Sequence, residues 1–308
     1  MTHPSLDDRD GVIWLDGQFV PWRDAHLHVL THGLHYGGGV FEGERVYDGH
    51  VFKLTEHTRR LHESARELGF HIPFSTAELD EATLELVHRQ GIGNGYVRPV
   101  AWRGSEQISV SGAGTSVHVA IATWEWPHVF SADAKEHGIR LGTSRWRRPA
   151  PDTAPVRAKA ASLYNICTMA RDAADEAGFD DALLLDYRGY VAEATGANLF
   201  LVTGDELHTP TADCFLAGIT RQTVLDLARD IGIPVVERHI LPEELGGFDE
   251  CFLTGTAYEV QPVRTIDKHE FQVGKTTISL TEAYTRLVHS RASTRSEAAW
   301  SGHPDNGS

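Results

Sequence analysis

Basic residues are in short supply: 28 lysines and arginines stand against 43 aspartates and glutamates, a formal net charge of −15. That balance argues against a nucleic acid or an anionic membrane as partner, since both need a basic face. A chain this negative must hold any anionic ligand with local donors. Cysteine is scarce as well. Cys167, Cys214 and Cys251 are odd in number, far apart and free of any C-x-x-C pair, which fits free thiols in a reducing cytoplasm and not a disulfide, zinc or redox framework. No apolar run approaches the ~20 residues a bilayer span needs. The first ten residues are polar and acidic, without the basic region and apolar core of a secretory signal, so the expected address is the cytoplasm. Glycines 37, 38 and 39 and the pair Gly91 and Gly93 do not make a G-x-G-x-x-G turn between strand and helix, so no dinucleotide site is expected. Among 18 histidines, His32 and His35 have the best metal spacing, but no cysteine or carboxylate set follows them, and no metal is expected.

What remains is an ordinary globular composition, 41% hydrophobic and 23% charged over 308 residues, enough for two domains with their own cores. Asp16-Gly17 and Asp48-Gly49 lie between apolar stretches and predict tight hairpins joining 12–15 to 18–20 and 45–47 to 51–54. Leu54, Thr58, Leu61, Ala65 and Leu68 mark one helix, and Leu79, Leu84 and Val87 another. Strand character returns at 96–102 and 117–123. Beyond a linker at 126–134, strands are expected at 139–143, 182–186, 198–202, 235–238 and 250–253. Helices are expected at 163–177, 220–231 and 277–289. The turn at 186–189 joins two strands directly, so the sheet is not purely parallel. The reading is a small domain at 1–125, the linker, a larger domain at 135–290 and a disordered tail at 291–308.

Lys159 is the residue that asks for chemistry. It sits between Ala158 and Ala160 before an apolar helical run, where burial and the positive end of a helix both favour the neutral amine. A neutral amine condenses with an aldehyde; the plain alternative is a stem packed on an apolar face with its ammonium in water. Gly218, Ile219 and Thr220 open a helical pattern of Val224, Leu225, Ala228 and Ile231 that Gly232 and Pro234 stop. Its free backbone N–H groups could hold a phosphate, with the Thr256 hydroxyl beside them.

These residues, with Leu34 to Gly37, Val40 to Gly43, His57, Arg60, Tyr96 to Pro99, Glu193, Asn198 to Phe200, Gly218 to Arg221 and Gly255 to Ala257, stand in an order that resembles the class IV aminotransferases. The chain is similar in particular to bacterial branched-chain amino acid aminotransferases, which are fold type IV pyridoxal phosphate enzymes. The resemblance implies an α+β, two-domain, D-amino acid aminotransferase-like architecture, with a smaller N-terminal α/β sandwich and a larger C-terminal pseudo-barrel. It implies pyridoxal 5'-phosphate as cofactor and Lys159 as both its attachment point and the catalytic base. By the same resemblance Glu193 faces the pyridine nitrogen, Tyr164 the 3' oxygen, and Leu216 one ring face. Arg60, not the adjacent Arg59, holds the phosphate with the N–H groups of Ile219 and Thr220 and the hydroxyl of Thr256; Gly196 and Gly218 belong to the same set.

For substrate, the resemblance offers backbone N–H groups at Thr256 and Ala257, helped by Tyr96 and Arg98. It also offers a dry box of Phe41, Trp126, Val129 and a Tyr36 contributed by a neighbouring subunit. Arg98 at the edge of that box would take the distal carboxylate of glutamate or 2-oxoglutarate. Two positions depart from the pattern: Val129, where relatives commonly carry an aromatic, and Gly38-Gly39, where they carry a polar or small pair. Both bear on substrate breadth and not on the reaction. The implied activity is reversible transfer of the amino group of L-leucine, L-isoleucine or L-valine to 2-oxoglutarate, by a homodimer at least, with a trimer of dimers as the larger arrangement. The competing readings are a D-amino acid or (R)-amine aminotransferase, an aminodeoxychorismate lyase, or a non-catalytic pyridoxal phosphate-binding protein.

Overall fold

The computed structural model describes residues 5–126 and 130–290, so the expectations for Val129 and for the tail at 291–308 lie outside the described residues. The N-terminal strands are β1 (Val12–Leu15), β2 (Gln18–Pro21), β3 (Gly39–Phe41), β4 (Glu44–Tyr47), β5 (His50–Val51), β6 (Gly95–Arg103) and β7 (Val117–Glu125). They form one antiparallel sheet in the order β2-β1-β7-β6-β4-β5, with β3 also on β6. Both predicted hairpins are present. Asp16 and Gly17 have φ of 48° and 88°, Asp48 and Gly49 of 50° and 83°, the doubly left-handed turn whose twist matches paired strands.

Three helices accompany this sheet: α1 (His32–Tyr36), α2 (Leu54–Glu67) and α3 (Thr76–Arg89). Leu61, Ala65, Leu79 and Leu86 bury against Val46, Val97, Val119 and Ile121 of the sheet. A capping box of Ser75 and Glu78 starts α3. The strand expected at 51–54 stops at Val51, because Lys53 turns left-handed at φ 53° and Leu54 already begins α2.

The second sheet comprises β8 (Ile139–Arg148), β9 (Asp181–Asp186), β10 (Val191–Ala194), β11 (Asn198–Thr203), β12 (Glu206–Pro210), β13 (Val235–Arg238), β14 (Glu250–Gly255), β15 (Glu259–Ile266) and β16 (His269–Glu270). Its order is β10-β9-β8-β15-β14-β11-β12-β13, and an additional β10–β11 pairing closes six of these strands into a ring. That ring is the expected pseudo-barrel. Inside it pack Ile139, Leu141, Leu183, Leu199, Leu201, Leu253 and Val263. Alternate residues of the same strands, Phe200, Val202 and Phe252, face out against Val224, Leu225 and Leu280 of two helices. Both faces of β11 and β14 are thus covered, which is why they read as unbroken apolar runs.

The later helices are α4 (Ala132–His137), α5 (Tyr164–Glu176), α6 (Ile219–Asp230) and α7 (Lys275–Val288). The first lies partly within the stretch read as linker; it buries no residue, so it has no apolar stripe for a sequence reading to find. Two parallel crossovers matter for function. One runs β8–α5–β9 and the other β12–α6–β13, so both helices begin just beyond the carboxyl end of a strand. In open α/β layers this is where ligands collect.

Candidate active site

Lys159 lies in the connection from β8 to α5, and both sides of its backbone are clamped. Its N–H donates to Ser64 Oγ on α2 at 2.9 Å, and its carbonyl accepts the N–H of Phe41 from β3 at 3.1 Å. Ala158 and Ala160 are buried, but Lys159 itself is only half-buried, because its side chain opens into a cavity. There Nζ donates to the Tyr164 hydroxyl at 2.7 Å. The short 3₁₀ turn of Ala161–Leu163 is what brings the first residue of α5 back over the lysine.

Glu193 stands opposite, on the one pair that closes the barrel, Glu193 with Asn198. Arg148 Nε lies 3.2 Å from its Oε1, and Asn198 Nδ2 donates to its Oε2 at 3.1 Å. Burial pushes the Glu193 carboxyl up to about 7, against the opposing pull of Arg148 and Lys159. A positive charge delivered beside it would draw it fully into the carboxylate form. Behind it, burial pushes the Cys167 thiol up to about 11, so that sulfur is no nucleophile at neutral pH.

Asn198 ties this carboxylate to the start of α6. Its Nδ2 also donates to the Leu216 carbonyl at 3.0 Å, and its Oδ1 accepts the N–H of Gly218 at 3.0 Å. A Cβ on Gly218 would stand 2.3 Å from that oxygen, so only glycine fits. The next N–H groups, of Ile219 and Thr220, belong to the first turn of a 12-residue helix, where the backbone donors have no partner within the helix itself. Arg60 from α2 and Thr256 from the turn after β14 line the same cavity.

Every residue assigned to the cofactor by resemblance lines this one cavity, although they come from α2, the β8–α5 connection, α5, β10 and the turn after it, the segment before α6, the start of α6, and the β14–β15 turn. The donor set suits a phosphorylated aldehyde: an amine, an acid, an arginine, a hydroxyl and a helix start line one cavity. Arg148 and Asn198 also line it, and the sequence reading gave neither a role.

The substrate residues divide. Phe41 packs on Tyr164 with ring centres 4.7 Å apart, and Arg98 lies 4.8 Å over Phe41. Tyr96 continues the wall to Trp126, at 5.2 Å. Of the described substrate residues only Thr256 lines the cavity itself; Phe41, Tyr96, Arg98 and Trp126 stand outside its lining and meet it through the contact of Phe41 with Tyr164, and Ala257, in the β14–β15 turn, is outside it too. Tyr36 ends α1 at 43% exposure and touches His32 and His35, not the cavity of its own chain. His35 Nε2 bonds the Val29 carbonyl at 2.8 Å, and His32 is buried with its ring against Tyr36.

Residues 39–266 match the family model described as Amino-transferase class IV. A probable branched-chain-amino-acid aminotransferase of Rickettsia felis is 44% identical over 268 residues, covering 87% of this chain and 91% of that protein. The branched-chain-amino-acid aminotransferase of Pseudomonas aeruginosa is 41% identical over 303 residues, covering 96% and 98%. Among solved structures, the T.th. branched-chain amino acid aminotransferase with pyridoxamine 5'-phosphate superposes with a TM-score of 0.88 at 39% identity, covering 91% of this chain and 94% of that one. The chain belongs to the class IV aminotransferases, and it is a transaminase.

Proposed function

We propose that this transaminase moves the amino group of L-leucine, L-isoleucine or L-valine to 2-oxoglutarate, with pyridoxal 5'-phosphate as its cofactor. The observation that carries the reading is the convergence of Lys159, Tyr164, Glu193, Arg60 and the start of α6 on one cavity beside an apolar wall that ends in an arginine. When bound, the cofactor supplies an electron sink for the carbanion at the substrate Cα.

The residues of the chain do the rest. Lys159 Nζ would be the attachment point and, once displaced by substrate, would carry the proton from the substrate Cα to the C4' carbon of the cofactor, and in the other half of the reaction would carry a proton the opposite way. Tyr164 keeps the amine oriented through its 2.7 Å bond. Glu193, backed by Arg148, presents negative charge to the ring nitrogen and holds a proton there. Arg60, the N–H groups of Ile219 and Thr220, and the Thr256 hydroxyl hold the phosphate. Phe41, Tyr96 and Trp126 exclude water from a branched side chain, and the N–H groups at Thr256 and Ala257 take the substrate carboxylate.

A second substrate of opposite polarity fits the same wall. Arg98 Nε and Trp126 Nε1 are buried without a hydrogen-bond partner among the described residues. Such donors are costly to leave unpaired, and the distal carboxylate of 2-oxoglutarate would satisfy them. Tyr36 would complete the box from a second copy. The apolar strip that surrounds it, Leu27 at 53%, Val29 at 70% and Leu34 at 65% exposure, is the face we assign to a homodimer. Three buried free cysteines suit the cytoplasm, and among the described residues no helix is long and apolar enough to cross a membrane. The domain limits at 125, 134 and 290 are likewise proposed.

The test is spectroscopic. The holoenzyme should absorb near ~410 nm, as a protonated cofactor adduct does, and L-leucine should bleach that band while D-alanine leaves it. Bleaching by D-alanine alone would move the assignment to the D-amino acid branch. An unchanged band with every amino acid would defeat the transaminase chemistry proposed for this cavity.

A further inference from the structure

Arg60 reaches the cavity from α2, and its guanidinium is already engaged before any ligand is considered. Nε donates to Glu42 Oε1 at 2.6 Å and Nη2 to Glu42 Oε2 at 2.9 Å, a bidentate pair. Glu42 follows directly on β3, with a fully buried side chain, and its Oε2 also meets His57 Nδ1 at 2.7 Å. A two-point fork fixes the plane of the guanidinium and leaves Nη1 outside the pair. The same β3 segment holds Lys159, through the N–H of Phe41. One stretch of chain therefore registers the phosphate arginine and the attachment lysine against each other.

A second acid lies close by and plays no such part. Glu44 is also fully buried, two residues further along the chain, and neither of its carboxylate oxygens has a hydrogen-bond partner among the described residues. Burial, with Glu42 and Asp80 nearby, raises its carboxyl well above the usual range. Asp80 is occupied by the hydroxyls of Thr55 and Thr58. Glu42 is the carboxylate that Arg60 bonds.

We infer that Glu42 is a positioning residue for the phosphate end of the site: it sets the orientation of Arg60, so that a phosphorylated ligand meets a donor edge already in place. The inference rests on the reading of Arg60 as a phosphate ligand, and the two can be tested apart. Apoprotein of the full chain is titrated with pyridoxal 5'-phosphate and with pyridoxal, which lacks the phosphate, and the ratio of the two affinities is compared among variants by equilibrium dialysis. Arg60→Ala tests the underlying reading and should collapse the ratio.

Glu42→Gln should lower the ratio by roughly 10-fold to 100-fold, taking as guide the scale seen when the outer partner of a metal ligand is removed, with pyridoxal affinity nearly unchanged. Glu42→Asp, which keeps the charge but shortens the reach, should fall between; if Glu42→Gln does not fold, this variant decides alone. Glu44→Gln should leave the ratio as it is. An unaltered ratio in both Glu42 variants, with Arg60→Ala collapsed, overturns the inference and keeps the reading. An unaltered ratio in Arg60→Ala overturns both. Equal losses in Glu42→Gln and Glu44→Gln would overturn the assignment to the Glu42 contact.

Discussion

At the scale of single residues, the site is a set of side chains whose protonation is decided by what surrounds them. Lys159→Ala removes the only primary amine lining the cavity among the described residues. It should keep the fold and lose turnover roughly 1000-fold or more, measured as single-turnover formation of the 2-oxo acid. Arg148→Met removes one of the charges that oppose burial at Glu193, so the carboxyl should rise further above about 7. A carboxyl with a raised pKa is neutral below it, so the acidic limb of the kcat/KM profile should move to higher pH; a profile that stays put would count against Arg148 as the support of Glu193. That the residues assigned to the cofactor share one cavity could be read from the chain through the family order of its motifs. Arg148 could not. It ends the run Arg145, Trp146, Arg147, which resembles solvated charge, and a register irregularity between Thr143 and Arg147 breaks the alternation that would say which arginine turns inward. Asn198 was visible as part of a motif, but its three bonds are a matter of geometry that spacing alone does not carry.

At the scale of elements, strongly patterned segments were legible and short ones were not. The strands β11 and β14, the hairpin turns at Gly17 and Gly49, and the helices α2, α3, α6 and α7 all follow from apolar period or from turn chemistry. The five-residue α1 and six-residue α4 carry too few buried positions to leave a pattern. The start of α6 is the element to which we assign phosphate binding. Gly218→Ala would drive a methyl against Asn198 Oδ1 and displace either the helix start or the asparagine. We expect about 1–3 kcal/mol of destabilisation together with weaker binding of pyridoxal 5'-phosphate, checked by thermal melts with and without the cofactor. A variant that melts lower but binds as before would place the strain away from the anion site.

At the scale of the whole molecule, two buried acids two residues apart act oppositely on stability. Burial alone would raise the Glu42 carboxyl, but Arg60 and His57 more than reverse this and hold it far below the usual range. Its contribution is therefore present above the unfolded value of ~4.3 and is lost as pH falls below it. Glu44 is raised instead, so above ~4.3 the unfolded chain carries fewer protons than the native one and stability declines as pH rises. Glu44→Gln should accordingly raise the melting temperature more at pH 8 than at pH 5, and equal gains at both would show that Glu44 is not held neutral.

The six-stranded ring has a further consequence. Its hoop is fastened by one rung, Glu193 to Asn198, and that rung is also the wall against which the cofactor ring would rest. Whatever fills the cavity therefore acts as a rivet across the seam. Emptying it should let the amide hydrogens of Ala194 and its neighbours exchange with solvent sooner than those of Leu199 to Val202 on the strand behind, and refilling it should seal them again.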